Sequence, residues 1–229
     1  MNPRFFGTIW SIVLLAVFGM LAFDIHAVAS SSQDSVGTIF PLWNITRGGP
    51  RADEGWAVAV DGEGNVYFSG YDRIARVTAD VFLRKFSPNG TELWHVSWGG
   101  AFDDEAFIVT VQNGFVYVGG RTFKSFLLTS ADMFVLKFHA SNGSLVWSRT
   151  WDGGVGYDEV DGLVVDGDSV YVAGWVTGAS TDLDIAVLKY DVNGTLVYSH
   201  SWGTSDVDEA NGQIGVDEKY IYVVGRYKA

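Results

Sequence analysis

The chain has no cysteine, which removes disulfides, thiolate metal sites and thiol catalysis together. It has four histidines, His26, His95, His139 and His200. No two of them stand at a His-x-x-His spacing, so no zinc set is present in the sequence. There is no Gly-x-Ser-x-Gly elbow and no phosphate-binding loop. Basic residues are outnumbered, 15 Lys and Arg against 27 Asp and Glu, for a net charge of −12. Such a surface repels nucleic-acid phosphate, so no nucleic-acid partner is expected. Proline is scarce, with 4 residues, whereas glycine is abundant, with 28. With 48% apolar and 15% aromatic residues, the composition is that of a packed domain of short strands and tight turns.

Residues 1–29 read as an export segment. Arg4 precedes a run of 19 apolar or small residues from Phe5 to Phe23, and the triplet Ala27-Val28-Ala29 then leads into serines. Small residues at both ends of that triplet suit a signal peptidase, with the cut after Ala29. The run exceeds the ~7–15 residues of a signal core and approaches the ~20 that span a bilayer as a hydrophobic helix. Signal peptide and retained membrane anchor therefore both stand. Either places the rest outside the cytoplasm, secreted or on the cell surface, with the membrane touched only by this segment. Residues 30–39 read as a linker.

From residue 40 onward the sequence repeats. An acidic pair recurs as Asp53-Glu54, Asp104-Glu105, Asp158-Glu159 and Asp208-Glu209, at intervals of 51, 54 and 50 residues. Tyr67, Tyr117, Tyr171 and Tyr222 are each followed three residues on by Gly70, Gly120, Gly174 and Gly225. A third segment reads Asp-x-x-x-x-Lys-aromatic, from Asp80, Asp132 and Asp184. Then come Asn89-Gly90, Asn142-Gly143 and Asn193-Gly194, and an aromatic strand closes each unit. A period of about 50 residues with four short strands is the size of a propeller blade. The expected fold is an all-β propeller of about four four-stranded antiparallel blades. Its units are residues 50–100, 101–154, 155–205 and a partial 206–229, with an outer strand at 40–49. The last blade is either incomplete, the chain then being a fragment of a larger propeller, or completed by that N-terminal strand.

The stretches VDGEGNVYFSG, DMFVLKF and LWHVSWGG followed by an acidic pair resemble the SBBP-type β-propeller repeat of bacterial and archaeal surface proteins. The resemblance covers residues 40–229. It implies a secreted or envelope location and a binding or scaffolding role, with no catalytic residues to carry over.

Most of the 27 carboxylates fall in loops that a propeller gathers on one rim. Carboxylates are the ligands Ca²⁺ prefers, so Asp53, Glu54, Asp104, Glu105, Asp158, Glu159, Asp208 and Glu209 are the candidate cation ligands. The competing expectation is that the repeated aspartates cap turns. Lys85, Lys137 and Lys189, set within apolar strands, call for partners. Acidic residues of the next unit are the expected ones. Asn44, Asn89, Asn142 and Asn193 are candidate glycosylation acceptors, the last three also suiting type I′ turns. Phe123, Phe126, Leu127, Leu128 and Trp175 are candidates for an apolar patch on the loop-bearing rim. The function expected is binding of a protein or carbohydrate at the cell surface. The alternative is a propeller enzyme, a lyase or quinone-dependent dehydrogenase, which requires polar groups at unequal positions near the axis.

Overall fold

The computed structural model of the chain describes residues 11–14, 27–31, 40–46, 51–75, 78–178 and 182–226, and all regular elements among them are strands. The first sheet contains β4 (Glu54–Val60), β5 (Val66–Ala75), β6 (Thr78–Phe86) and β7 (Glu92–Trp98). The second contains β8 (Asp104–Gln112), β9 (Phe115–Phe123), β10 (Ala131–His139) and β11 (Leu145–Trp151). The third contains β12 (Asp158–Asp166), β13 (Ser169–Thr177), β14 (Leu183–Asp191) and β15 (Leu196–Trp202). Each is an antiparallel meander. Two smaller sheets flank them. One is formed by β1 (Ser11–Leu14), β2 (Ala27–Ser31) and β3 (Phe40–Ile45), the other by β16 (Glu209–Val216) and β17 (Ile221–Arg226).

The core consists of four layers between successive sheets. Trp43 and Ile45 pack on Val66, Phe68 and Phe86. Tyr67, Val81 and Leu83 meet Val118, Phe134 and Leu136. Tyr117, Met133 and Trp147 meet Val172, Leu188 and Tyr190. Ile185 and Val187 meet Ala210 and Ile214. A sheet with a neighbour on either side buries both faces, which is why the middles of β6, β10 and β14 (Val81–Leu83, Met133–Leu136 and Ile185–Leu188) are apolar on both faces. The first strands β4, β8, β12 and β16 contact one another in turn. They therefore lie innermost, and β7, β11 and β15 form the outside, the first two half-exposed and β15 exposed along its length.

Two expectations about the N-terminus are corrected. No helix occurs among the described residues. Within the apolar run, Ser11–Leu14 is a strand paired with Ala27–Ser30. An unbroken apolar run has no stripe that tells helix from strand, and Ile12-Val13 favours the extended form. The rest of that run, and residues 32–39 of the expected linker, lie outside the described residues. Nor does the N-terminal strand complete the last sheet, because β3 pairs with β2 whereas β17 pairs with β16. Instead β3 lies on the first four-stranded sheet, where Trp43 Nε1 donates to Pro88 O at 2.9 Å. A fourth-strand sequence specifies the sheet it packs on, not the sheet it joins.

The same latch recurs at the next two junctions. Trp94 Nε1 and Lys85 Nζ both donate to Ala140 O, at 3.2 and 3.0 Å. Trp147 Nε1 and Lys137 Nζ both donate to Val192 O, at 3.0 and 2.8 Å. Lys85 and Lys137 thus hydrogen-bond a turn carbonyl of the next sheet, and Asp191 of that sheet also acts on Lys137 through its charge. They also lie over rings of their own sheet, Lys85 over Tyr67 at 5.1 Å and Lys137 over Phe115 at 4.0 Å. A carbonyl and a π face satisfy an ammonium without a second buried charge. Lys85 has in addition Asp61, of its own sheet, at 3.9 Å.

The hairpins at Asn89, Asn142 and Asn193 are not type I′, since only the glycines that follow have positive φ. Gly90 N bonds Ser87 O and Ser87 N bonds Thr91 O, a type I turn closed by a left-handed glycine, with Pro88 at its favoured second place. The Asp61–Asn65 turn is alike, with Gly64 rather than Gly62 at positive φ. Asn113-Gly114 is the pair with both residues left-handed.

Candidate functional site: carboxylates where the first strands converge

The two members of each acidic pair have separate roles. The aspartates are buried clasps. Asp104 accepts from Gly100 N at 2.7 Å, Asp158 from Gly153 N at 2.5 Å and Asp208 from Thr204 N at 2.6 Å, each holding the loop that arrives from the preceding sheet. Asp53 accepts from Arg73 N at 3.0 Å, in its own sheet. Burial, with Asp132 and Asp152 nearby, pushes Asp158 up to about 6 against the pull of its two backbone donors.

The glutamates turn toward the convergence of the first strands. Glu105 accepts from Arg121 Nε and Nη2 at 2.9 and 2.7 Å, and Arg121 Nη1 reaches Glu159 of the next sheet at 2.5 Å. Glu54 accepts from the Tyr71 hydroxyl, and Glu209 pairs with Arg226 at 3.1 Å.

A β-bulge adds a further side chain in each sheet. Gly55 pairs with Gly70 and Ala57 with Ser69, so Trp56 has no partner across the ladder. Phe107 is skipped in the same way between Ala106 and Ile108, and Asp161 between Val160 and Gly162. A bulge re-aims its extra residue. The re-aimed residues differ: Trp56 and Phe107 meet edge-to-face with centroids 5.5 Å apart, whereas Asp161 hydrogen-bonds Glu159.

Asp161 is the most perturbed acid of the site. Burial, then the charges of Glu159 and Glu209, push it up to about 8 despite Arg121, and its Oδ2 is buried without a partner. A carboxyl with a raised folded pKa binds its proton more tightly folded than unfolded. Its ionisation therefore removes stability as pH rises from about 4 toward 8. Asp161→Asn is expected to leave stability at pH 4 nearly unchanged and to raise it at pH 8 by ~2 kcal/mol, below the full value of the shift to allow for solvent access. Urea melts at the two pH values check this, and equal effects at both would refute the assignment.

The eight residues expected to bind a cation do not form one cluster. Glu105 and Glu159 share Arg121, and the aspartates' oxygens are taken by backbone N–H groups. Asp158 does approach Asp132 and Asp152 closely enough to share an ion. However, Lys124 Nζ already lies 2.5 Å from Asp132 and 2.8 Å from Asp152. Ca²⁺ takes six to eight oxygens, and these three beside an ammonium and an N–H donor do not fit it.

Asn44, Asn89, Asn142 and Asn193 are exposed, the last three on hairpin turns. Of the expected apolar patch, Phe126, Leu127 and Leu128 are exposed, Trp175 is half-buried, and Phe123 is buried. Sequence reasoning missed Arg121 and undervalued Asp161. The signal was present as inequality within the repeat: Tyr71, Arg121, Trp175 and Arg226 follow the recurrent glycine, and Trp56, Phe107, Asp161 and Asn211 follow the acidic pair by two residues.

Radially arranged four-stranded sheets with charged groups at their inner strands define a β-propeller-type protein. Solved structures agree on that fold. The chain is similar to BamB from Moraxella catarrhalis at 15% identity and TM-score 0.51, covering 96% of this chain and 58% of that one. It is also similar to quinohemoprotein alcohol dehydrogenase from Comamonas testosteroni at 13% identity and TM-score 0.54, covering 92% and 40%. The chain thus spans less than two thirds of either. No family model and no curated protein matches it.

Proposed function

We propose that this is an exported surface protein whose propeller binds a partner protein, gripping a lysine- or arginine-bearing segment with the carboxylates at its inner strands. One observation carries the reading: Glu54, Glu105, Glu159, Asp161 and Glu209 follow one another through shared hydrogen bonds and charge contacts, with Arg121 and Arg226 as their guanidinium partners. The surplus of negative charge attracts a cation, and Trp56, 49% exposed at the same end, offers it a π face. Export is supported by the apolar run and the Ala27-Val28-Ala29 triplet, and the surface role by the resemblance to SBBP-type repeats.

Labelled pentalysine and pentaarginine peptides test the site. At pH 9, where Asp161 is ionised, binding is expected to weaken steeply with salt, and at least tenfold in Asp161→Asn/Glu209→Gln, a pair that relieves repulsion and keeps the fold. Affinity indifferent to both would overturn the reading.

A second reading, an enzyme, rests on Asp161, pushed up to about 8, standing beside Glu159, whose carboxyl burial raises while the Arg121 guanidinium pulls it back down. That division suits an acid and a base. It separates from the first reading by turnover that Asp161→Asn abolishes while peptide binding persists.

A further inference from the structure

We propose that Asn113 is a self-modification site. In the folded chain it converts to aspartate and isoaspartate ahead of the other Asn-Gly pairs, and the isoaspartate form releases the latch between the first and second four-stranded sheets.

The pairs are Asn89-Gly90, Asn113-Gly114, Asn142-Gly143 and Asn193-Gly194, and the dipeptide alone does not tell them apart. In such a pair the glycine nitrogen attacks the asparagine Cγ, with no side chain of its own to hinder the approach. A bond forms from that nitrogen to Cγ, the Cγ–Nδ2 bond breaks, and the nitrogen's proton leaves with Nδ2 as ammonia. Water then opens the succinimide. Cleavage of the new bond to Cγ gives aspartate. Cleavage of the original peptide bond gives isoaspartate, whose chain runs through Cγ. Nothing is oxidised or reduced.

The attack needs a free nitrogen and a peptide able to rotate. At three pairs the fold withholds both. Gly90 N, Gly143 N and Gly194 N donate to Ser87 O, His139 O and Asp191 O at 2.9, 2.8 and 2.9 Å. The same glycines lie against rings of the preceding sheet: a Cβ on them would come within 2.9, 2.8 and 2.9 Å of Trp43, Trp94 and Trp147. Two of the amides are held as well, since Asn89 Oδ1 accepts from Thr91 N at 3.3 Å and Asn142 Oδ1 from Ser144 N at 3.0 Å.

Asn113-Gly114 differs on every count. It is the two-residue turn between β8 and β9, closed by the Gln112–Phe115 pair. Both residues are exposed, and nothing lies within 4 Å of a Cβ at Gly114. Among the described residues the Gly114 N–H has no acceptor and the Asn113 side chain no partner.

The effect on the fold passes through two carbonyls. Gly114 O accepts from Ala140 N at 2.9 Å, and Ala140 O is the acceptor that Trp94 Nε1 and Lys85 Nζ share. Isoaspartate adds a backbone carbon to a turn whose length sets the register of its hairpin. Gly114 O then leaves Ala140 N, and the carbonyl that fastens the first four-stranded sheet moves with it.

The test uses the full chain made without glycans, because the other three asparagines stand in Asn-x-Ser/Thr sequences. It is aged at mildly alkaline pH and mapped by peptide mass spectrometry. Asn113 is expected to convert at least tenfold faster than Asn89, Asn142 and Asn193, each of which must first lose a hydrogen bond and a ring contact. In urea the four rates should converge. Hydrogen exchange at Ala140 should quicken in the aged chain. It should stay unchanged in aged Asn113→Gly, a substitution that suits the left-handed turn and removes the reacting amide. Similar rates at the four sites in the folded chain overturn the proposal, as does a tenfold lead of Asn113 that persists in urea. Conversion that leaves Ala140 exchange as in the fresh chain overturns the release of the latch, and so does equal quickening in aged Asn113→Gly.

Discussion

Replacing Gly120 by valine is expected to abolish the folded state at ambient temperature or to cost more than about 3 kcal/mol of it. A Cβ at this position would overlap the carbonyl oxygen of Glu105, lie 2.9 Å from Ala106 Cα and meet Phe134 Cζ at 2.8 Å. Two of these neighbours are backbone, so no rotamer relieves the clash. The cause is the bulge, which folds the Glu105–Ala106 peptide over the glycine as it ejects Phe107. Gly70 and Gly174 face the carbonyls of Glu54 and Glu159 in the same way. Since a domain of this size is stable by only about 5–15 kcal/mol, one such change is decisive. Gly62→Ala is the control, since nothing lies within 4 Å of its added Cβ. Urea melts by circular dichroism should show that protein close to the parent and Gly120→Val largely without its strand signal.

The second large effect is expected at Trp147. Trp147→Ala should cost about 3–5 kcal/mol. The ring is 7% exposed, packs between Tyr117 and Tyr190 with centroids 6.2 and 6.5 Å away, and donates to Val192 O. The same substitution at Tyr198, its repeat equivalent, should cost no more than about 0.5 kcal/mol, because that ring is 39% exposed and, among the described residues, has no turn beneath it. The contrast is the informative result. Equal costs in thermal and urea melts would mean that the latch is not what holds adjacent sheets together.

The repeat itself was legible. Tyr67, Tyr117 and Tyr171, the glycines three residues after them and the Asn-Gly turns mark strands and hairpins, and the structure places them so. Their reasons were less legible. The recurrent glycine could be read as a mark but not as the floor of a bulge, because the Glu105 carbonyl that demands it lies 15 residues back, in another strand. The lysines were read as paired with acids of the next unit; such an acid, Asp191, acts on Lys137 by its charge, but the hydrogen bonds of Lys85 and Lys137 go to a carbonyl of the next sheet. The Asn89, Asn142 and Asn193 turns were assigned from a dipeptide, whereas Pro88 and the lone left-handed glycines favour the longer loop. Arg121 escaped because two of the four units have Tyr71 or Trp175 at its place, and a search for repetition discards what does not repeat throughout.

What the sequence determined by itself is the unit: four strands per period, the places where the chain reverses, and sheets apolar on both faces. These follow from side-chain alternation and turn preference, which act between residues close along the chain or one period apart. The tertiary structure alone decided that Asp104, Asp158 and Asp208 go into the junctions and the glutamates toward the inner strands. It also decided that Arg121 bridges Glu105 and Glu159 from neighbouring sheets, and that β3 flanks the first sheet without joining the last. Each of these depends on how far one sheet is rotated and shifted against the next. That offset is fixed by many packed side chains at once and is written in no single strand.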